Sequence, residues 1–187
     1  MINLFIKGQP DGSEDIEFKR MRMVRDFCID FCVAFAVVML VLQFVQPNRV
    51  YQESMYPTYS ERDMILVNKM AYRGSEPEPG DIIVFDSGDA ERERYIKRVV
   101  AVAGDHVEIH DGKVIVNNSI QNQSFTNDGY TDGFVNLVVP EDSCFVLGDN
   151  RSVSIDSRSD DIGCVSYDKL IGKVMFTKHV GLYEEAE

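Results

Sequence analysis

The sequence predicts a mostly β protein behind a single N-terminal transmembrane helix, and three observations predict it. An apolar run near the N-terminus is long enough to cross a bilayer. Short β-branched runs separated by turn residues follow it. No helical period longer than a few turns occurs beyond Pro47.

The apolar run, Phe27 to Val45, reads FCIDFCVAFAVVMLVLQFV, with Asp30 its only charged residue. Extended to Gln46 it has 20 residues, close to the ~20 needed to cross a hydrocarbon core of ~30 Å. Asp30 lies in the first turn, within reach of the interface. The alternative, a buried core helix, would carry one apolar stripe, whereas here apolar residues surround the helix. A cleaved signal peptide fits poorly, because the run is long and starts late. Lys19, Arg20, Arg22 and Arg25 precede the span and only Arg49 follows it closely, which places the N-terminus in the cytoplasm and everything after Pro47 outside. The expected parts are a flexible cytoplasmic leader (1–26), a membrane span (27–46) and an extracytoplasmic all-β domain (47–187).

At 187 residues the chain suggests one modest domain plus extras. Its 19 basic and 31 acidic residues exclude nucleic acid as a partner, since polyanions need basic surfaces. The acidity sits after the span: from Asn48 onward there are 14 basic and 25 acidic residues, a balance of −11. Such a domain is repelled by anionic lipid unless anchored, so the bilayer is an expected partner through the helix.

Met64–Asn68, Asp81–Phe85, Tyr95–Ala103, His106–His110, Lys113–Asn117, Cys144–Leu147 and Leu170–Thr177 read as strands. Asp111-Gly112 between two of them is a hairpin signal. Ser119–Gly133 reads as a polar surface loop with no site signal. Cys28 and Cys32 fall on one face of the membrane helix and read as small hydrophobes. Cys144 and Cys164 are either a disulfide, permitted outside the cell, or two separate buried thiols. No Cys-x-x-Cys or His cluster suggests a metal, and no cofactor is expected.

Three segments carry candidate chemistry. Ser54 lies in YQESMYPTY, soon after the span. Pro57 biases Tyr56 towards an extended conformation, and a serine before such a turn either presents its hydroxyl on a bend or is an ordinary turn serine. A nucleophilic serine needs a base. None of the three histidines sits beside a recognisable catalytic residue. A lysine serves only if neutral, and burial depresses a lysine by up to about 3–5 units. In YIKRVVAVA, alternation puts Tyr95, Lys97, Val99 and Ala101 on one face and Ile96, Arg98 and Val100 on the other. Lys97 is thus either a buried base or a lysine reaching off a sheet edge. In FVLGDNRSVSIDSR, Asp149, Arg151, Asp156 and Arg158 are more charges than a turn needs. They read as carboxylates paired with arginines at some distance from Lys97, and Ser154 is a candidate to aim that lysine.

Together these segments resemble the type I signal peptidases of bacteria. Ser54-Met55-Tyr56-Pro57-Thr58 matches the family's Ser-Met-x-Pro-Thr, and Gly80-Asp81-Ile82-Ile83-Val84-Phe85 its Gly-Asp-Ile-x-x-Phe. Tyr95, Lys97, Arg98, Gly104 and Asp105 match the lysine box. Gly148, Asp149, Asn150, Arg151, Ser154, Asp156, Ser157 and Arg158 match the last box. The short stretch between these last two is similar to Gram-positive members. The resemblance implies a signal peptidase/LexA-like β fold and a membrane-bound serine endopeptidase. It implies Ser54 as nucleophile, Lys97 as general base, and Ser154 orienting the lysine. Asp156, Arg158, Asp149 and Arg151 then support the site. It also implies substrates that are preprotein signal peptides, added as a strand, with small side chains one and three positions before the cut. Val50, Tyr51, Tyr95 and Ile96 then lie near those pockets. The Ser54 N–H and Gln52 are candidate oxyanion donors, although the family has Gly or Ser where Gln52 stands. Ala103 replaces a common Pro, and Val153 a frequent Asn.

Two other readings compete. One is a non-catalytic, signal-peptidase-like membrane assembly factor, which would usually have lost the serine or the lysine. The other is a self-cleaving repressor of the LexA type, which would need a DNA-binding module in place of the membrane helix.

Overall fold

The structure is a computed structural model that describes residues 12–87, 94–127 and 129–178, with the backbone alone for 12–17. The chain divides into two units, Met1–Gln43 and Phe44–Glu187.

Among the described residues, the first unit is formed by helix α1, Gly12–Phe44, whose last residue already belongs to the second. Its apolar part, Phe18–Phe44, is 27 residues long and none of it is buried, which for an apolar surface fits lipid as the solvent. The helix starts earlier than expected: residues 12–26 are helical rather than a flexible leader, and residues 1–11 lie outside the described residues. The reason is local, since Glu14, Glu17, Lys19, Arg20, Met21, Arg22 and Met23 all favour helix. It also stops earlier, at Phe44, because Pro47 cannot continue it and β-branched Val45 opens a strand instead. Val45 and Gln46 therefore belong to the β unit, not to the span.

The second unit is built from two antiparallel sheets. Strands β1 (Val45–Arg49), β2 (Met64–Asn68), β3 (Ile82–Asp86), β4 (Arg94–Val102), β9 (Ser143–Leu147), β10 (Val165–Ser166) and β11 (Leu170–Lys178) form the larger. Its order is β1-β2-β11-β3-β4-β9-β10. Strands β5 (His106–His110), β6 (Lys113–Val116), β7 (Ser119–Ile120) and β8 (Val135–Val138) form the smaller, in the order β7-β6-β5-β8. All seven strands read from the sequence are present within a residue or so at each end. β1, β7, β8 and β10 were not read, being short, interrupted by Pro47, or alternating too weakly.

The core has three parts. Phe145 and Leu147 of β9 pack with Val107, Ile109 and Val114 of the smaller sheet. Cys144 and Val146 pack on the opposite side with Ile83, Phe85 and Val99. Val50, Met55 and Tyr59 pack with Ile65, Val67 and Val84. Strand β9 is thus buried on both faces, which is why it reads as an unbroken apolar run. The alternation expected along β4 fails at one place. A bulge between Val99 and Ala101 sends Val99 to one cluster and Ala101 to another.

Cys144 and Cys164 are free thiols. Val165 is the cross-strand partner of Cys144, and Cys164 immediately precedes that strand. Cys144 lies in the cluster with Val146, and Cys164 packs on the one with Phe145. The reading of two separate thiols is the one the fold adopts.

Candidate active site

Ser54 and Lys97 are 43 residues apart in sequence, and the fold brings them into contact. Ser54 sits in a short 3₁₀ turn, Glu53–Met55, ended by Tyr56 in an extended conformation before Pro57. The Tyr56–Pro57 bond is cis. Met55 buries its side chain in the core and pins the turn. Lys97 stands in β4 across from Ile83, is 1% exposed, and donates from Nζ to Ser54 Oγ at 2.8 Å. Its ammonium also lies 5.4 Å from the Tyr95 ring centroid. Burial pushes the Lys97 pKa down to about 8, against an upward pull from Asp156 and Asp149 and with a smaller push from Arg158. Desolvation wins because both carboxylates are already engaged by arginines.

Those pairs differ in part from the expected ones. Asp156 accepts from Arg158 Nε at 2.8 Å and Nη2 at 3.0 Å, within the last box. Asp149 instead takes both bonds from Arg98, at 2.8 and 2.7 Å, and a third from the Thr58 hydroxyl at 2.5 Å. Arg98 alternates with Lys97 along β4, so one strand presents the amine and, on its other side, the guanidinium that holds the loop. Among the described residues, Arg151 pairs with no carboxylate. It is buried and donates to the Gly148 carbonyl at 2.8 Å, Gln123 Oε1 at 2.7 Å and Thr131 Oγ1. The polar stretch Ser119–Gly133, read as a plain surface loop, therefore supplies two supports of the last box.

Ser154 departs most from expectation. Its Oγ is buried without a hydrogen-bond partner among the described residues, and the lysine amine bonds Ser54 instead. The hydroxyl packs against Gly148, where an added Cβ would collide with Ser154 Oγ and come within 2.5 Å of the Ser54 carbonyl oxygen. Asn150, which the sequence offered only as a motif letter, closes on the turn that carries Ser54. Its N–H donates to the Ser54 carbonyl at 3.0 Å and its Nδ2 to the Glu53 carbonyl at 3.1 Å. Asn150, Gly148, Thr58 and Arg98 are the supports that reading the sequence missed. Their signal was contact across distant segments, which no local period carries.

The Ser54 N–H stands in the opening turn of the 3₁₀ helix, where N–H groups have no acceptor within the helix. Gln52 is exposed, and its side-chain amide makes no hydrogen bond among the described residues. Val50, Tyr51, Tyr95 and Ile96 all line one cleft of about 550 Å³. Val50 forms its buried floor and Tyr51 its exposed rim. A smaller hollow of about 400 Å³ lies over Ser54, walled by Gln52, Tyr95, Val153 and Ile155. Strand β9 pairs with β4 only from Arg98 to Val102, so its ladder ends one residue past Lys97 and β4 runs on beside the cleft. Among the described residues, no group of three or more His, Cys, Asp and Glu is placed to hold a metal ion.

Residues 21–178 match the family described as signal peptidase, peptidase S26. The chain belongs to that family. It is 32% identical over 150 residues to signal peptidase IB of Staphylococcus aureus, covering 71% of this chain and 76% of the relative. It is 33% identical over 141 residues to thylakoidal processing peptidase 1 of Arabidopsis thaliana, covering 70% of this chain. The chain spans only 41% of that plant relative's length. A signal peptidase I from Enterococcus faecalis, known from its crystal structure, is 29% identical with a TM-score of 0.46, over 54% of this chain and 98% of that one.

Proposed function

We propose that this family member is a type I signal peptidase, a membrane-bound serine endopeptidase that removes signal peptides from exported preproteins. The observation that carries the reading is the 2.8 Å bond between Lys97 Nζ and Ser54 Oγ, made by a lysine that is 1% exposed. Neutral Lys97 accepts the Ser54 hydroxyl proton as Oγ attacks the scissile carbonyl. The Ser54 N–H donates to the developing oxyanion. The Lys97 ammonium then returns the proton to the leaving amine, which departs with the mature chain. Water, deprotonated by the same amine, hydrolyses the acyl-enzyme and frees the signal peptide. Lysine in place of histidine is a known variant of this logic.

The substrate adds as a strand beside β4 and the Val50–Gln52 segment, with small side chains one and three positions before the cut entering the 550 Å³ cleft. Helix α1 anchors the enzyme in the bilayer, with the N-terminus cytoplasmic and the β unit outside. Ser154 supports the lysine's surroundings through Gly148, against which its hydroxyl packs. Asp156, Arg158, Asp149 and Arg151 hold the loop that carries it.

The deciding experiment is processing of a preprotein by the full chain in detergent, with Ser54→Ala and Lys97→Arg beside it. Wild type cleaves and neither variant does, because guanidinium cannot become neutral near pH 7. Substantial activity in Lys97→Arg would remove Lys97 as the base. Protease added outside intact cells should degrade the β unit; full protection would reverse the orientation.

A further inference from the structure

Three hollows run in succession through the site. The 550 Å³ cleft and the 400 Å³ hollow over Ser54 share Gln52 and Tyr95 in their walls. On its other side the hollow shares Ile155 with a third cavity of about 730 Å³. The first and third share no residue. A peptide with its residues before the cut in the first, and its scissile carbonyl at Ser54, leads onward into the third.

That third cavity has its own chemistry. Next to Ser54 its approach is apolar, through the exposed side chains of Val153 and Ile155. Beyond them it is polar, and its two cations are already engaged. Arg158 is bonded to Asp156 and to the carbonyls of Asp132, Arg151 and Ser154. Arg151 is bonded to Gly148, Gln123 and Thr131. Asp132 and Asp161 line the same cavity, are exposed, and form no ion pair among the described residues. Asp132 accepts from the Gly133 N–H at 2.8 Å, and Asp161 Oδ2 faces the Ser159 hydroxyl at 3.5 Å. The lining thus carries three carboxylates, Asp132, Asp156 and Asp161, against two guanidiniums, Arg151 and Arg158, a balance of −1 with the two unpaired carboxylates exposed.

We infer that this cavity receives the first residues of the mature chain after the cut, and that Asp132 and Asp161 make it select a lysine or arginine there. The inference rests on the peptidase reading above and specifies the far half of its substrate.

The test uses the full chain in neutral detergent and three fluorogenic peptides. They are identical through the cut and the two residues after it, and carry Lys, Gln or Glu at the third. At low salt the Lys peptide should have a kcat/KM about fivefold above the Glu peptide, the size expected for rim charges. The ratio should shrink at high salt. In an Asp132→Asn, Asp161→Asn double variant it should fall below about twofold, and Asp161→Lys should invert it. Equal rates for Lys and Glu with the Gln peptide well cleaved would overturn the inference and leave the peptidase intact. A wild-type ratio kept by the double variant would overturn it too. Failure to cleave all three, or equal cleavage by Ser54→Ala, removes the peptidase reading and this inference with it.

Discussion

The N–H of Asn150 donates to the carbonyl of Ser54 at 3.0 Å, so the last box grips Ser54 by its backbone. Gly148, two residues earlier, lies flat against the same carbonyl. Gly148→Ala places a Cβ where Ser154 Oγ and the Ser54 carbonyl oxygen already are, and the serine's turn must shift. A misplacement of about 1 Å costs roughly 100-fold in rate. We expect kcat to fall by about that factor, with a stability loss of about 1–3 kcal/mol from overpacking. Urea unfolding and peptide kinetics on one preparation check both. An unchanged kcat would show that the contact has no part in placing Ser54.

Catalysis should depend on a single ionisation of Lys97. The amine must be neutral to accept a proton, and its pKa is held at about 8. Below that value kcat/KM for a peptide substrate should rise about tenfold per pH unit, then level off above it. A profile already flat from pH 6 to 9 would contradict the assignment.

The same burial makes Lys97 a liability to the fold. Unfolded, the lysine keeps its proton up to its ordinary value of 10.5; folded, only up to about 8. Between those values the unfolded chain binds the extra proton, so stability rises with pH across that window. Below about pH 8 the full penalty is present, on the order of 3 kcal/mol at about 1.4 kcal/mol per unit. Lys97→Met should therefore be inactive yet resist urea better than wild type at pH 7, and the gap should close above about pH 10. A less stable variant at pH 7 would mean that the Ser54 bond outweighs the desolvation.

Gln52 stands exposed, with its amide unbonded among the described residues, which favours an oxyanion site built from backbone N–H groups. Gln52→Ala should then change kcat by less than about threefold. A loss of about 100-fold, with the fold intact by circular dichroism, would make the side chain an oxyanion donor.

Where the anchor is cut matters. Val45 and Gln46 pair with Asn68 and Val67 of β2. Removing residues 1–43 should leave a soluble, active β unit, whereas removing 1–49 deletes β1 and bares one edge of β2. Gel filtration and peptide cleavage of the two truncations check this; equal behaviour would show β1 to be dispensable.

Strands with strong alternation or long apolar runs, such as His106–His110 and Cys144–Leu147, could be read from sequence because the core imposes its period on them. The pairing of Ser54 with Lys97 could be expected because four motifs stand in order along the chain, and the fold brings the two into contact. What could not be read was contact between distant segments. Alternation says only that Arg98 points away from Lys97, whereas in the fold it clasps Asp149. Ser119–Gly133 looked empty because Gln123 and Thr131 acquire a role only once Arg151 is buried against them. The Val99–Ala101 bulge broke a period that the residues themselves keep.

Cys144 and Cys164 are free thiols that pack on different clusters of the core. The β unit thus reaches its final form without forming a covalent cross-link between them, and no oxidant or thiol-exchange helper is needed for that step. On the function proposed above, the enzyme would then be ready without waiting for oxidative machinery.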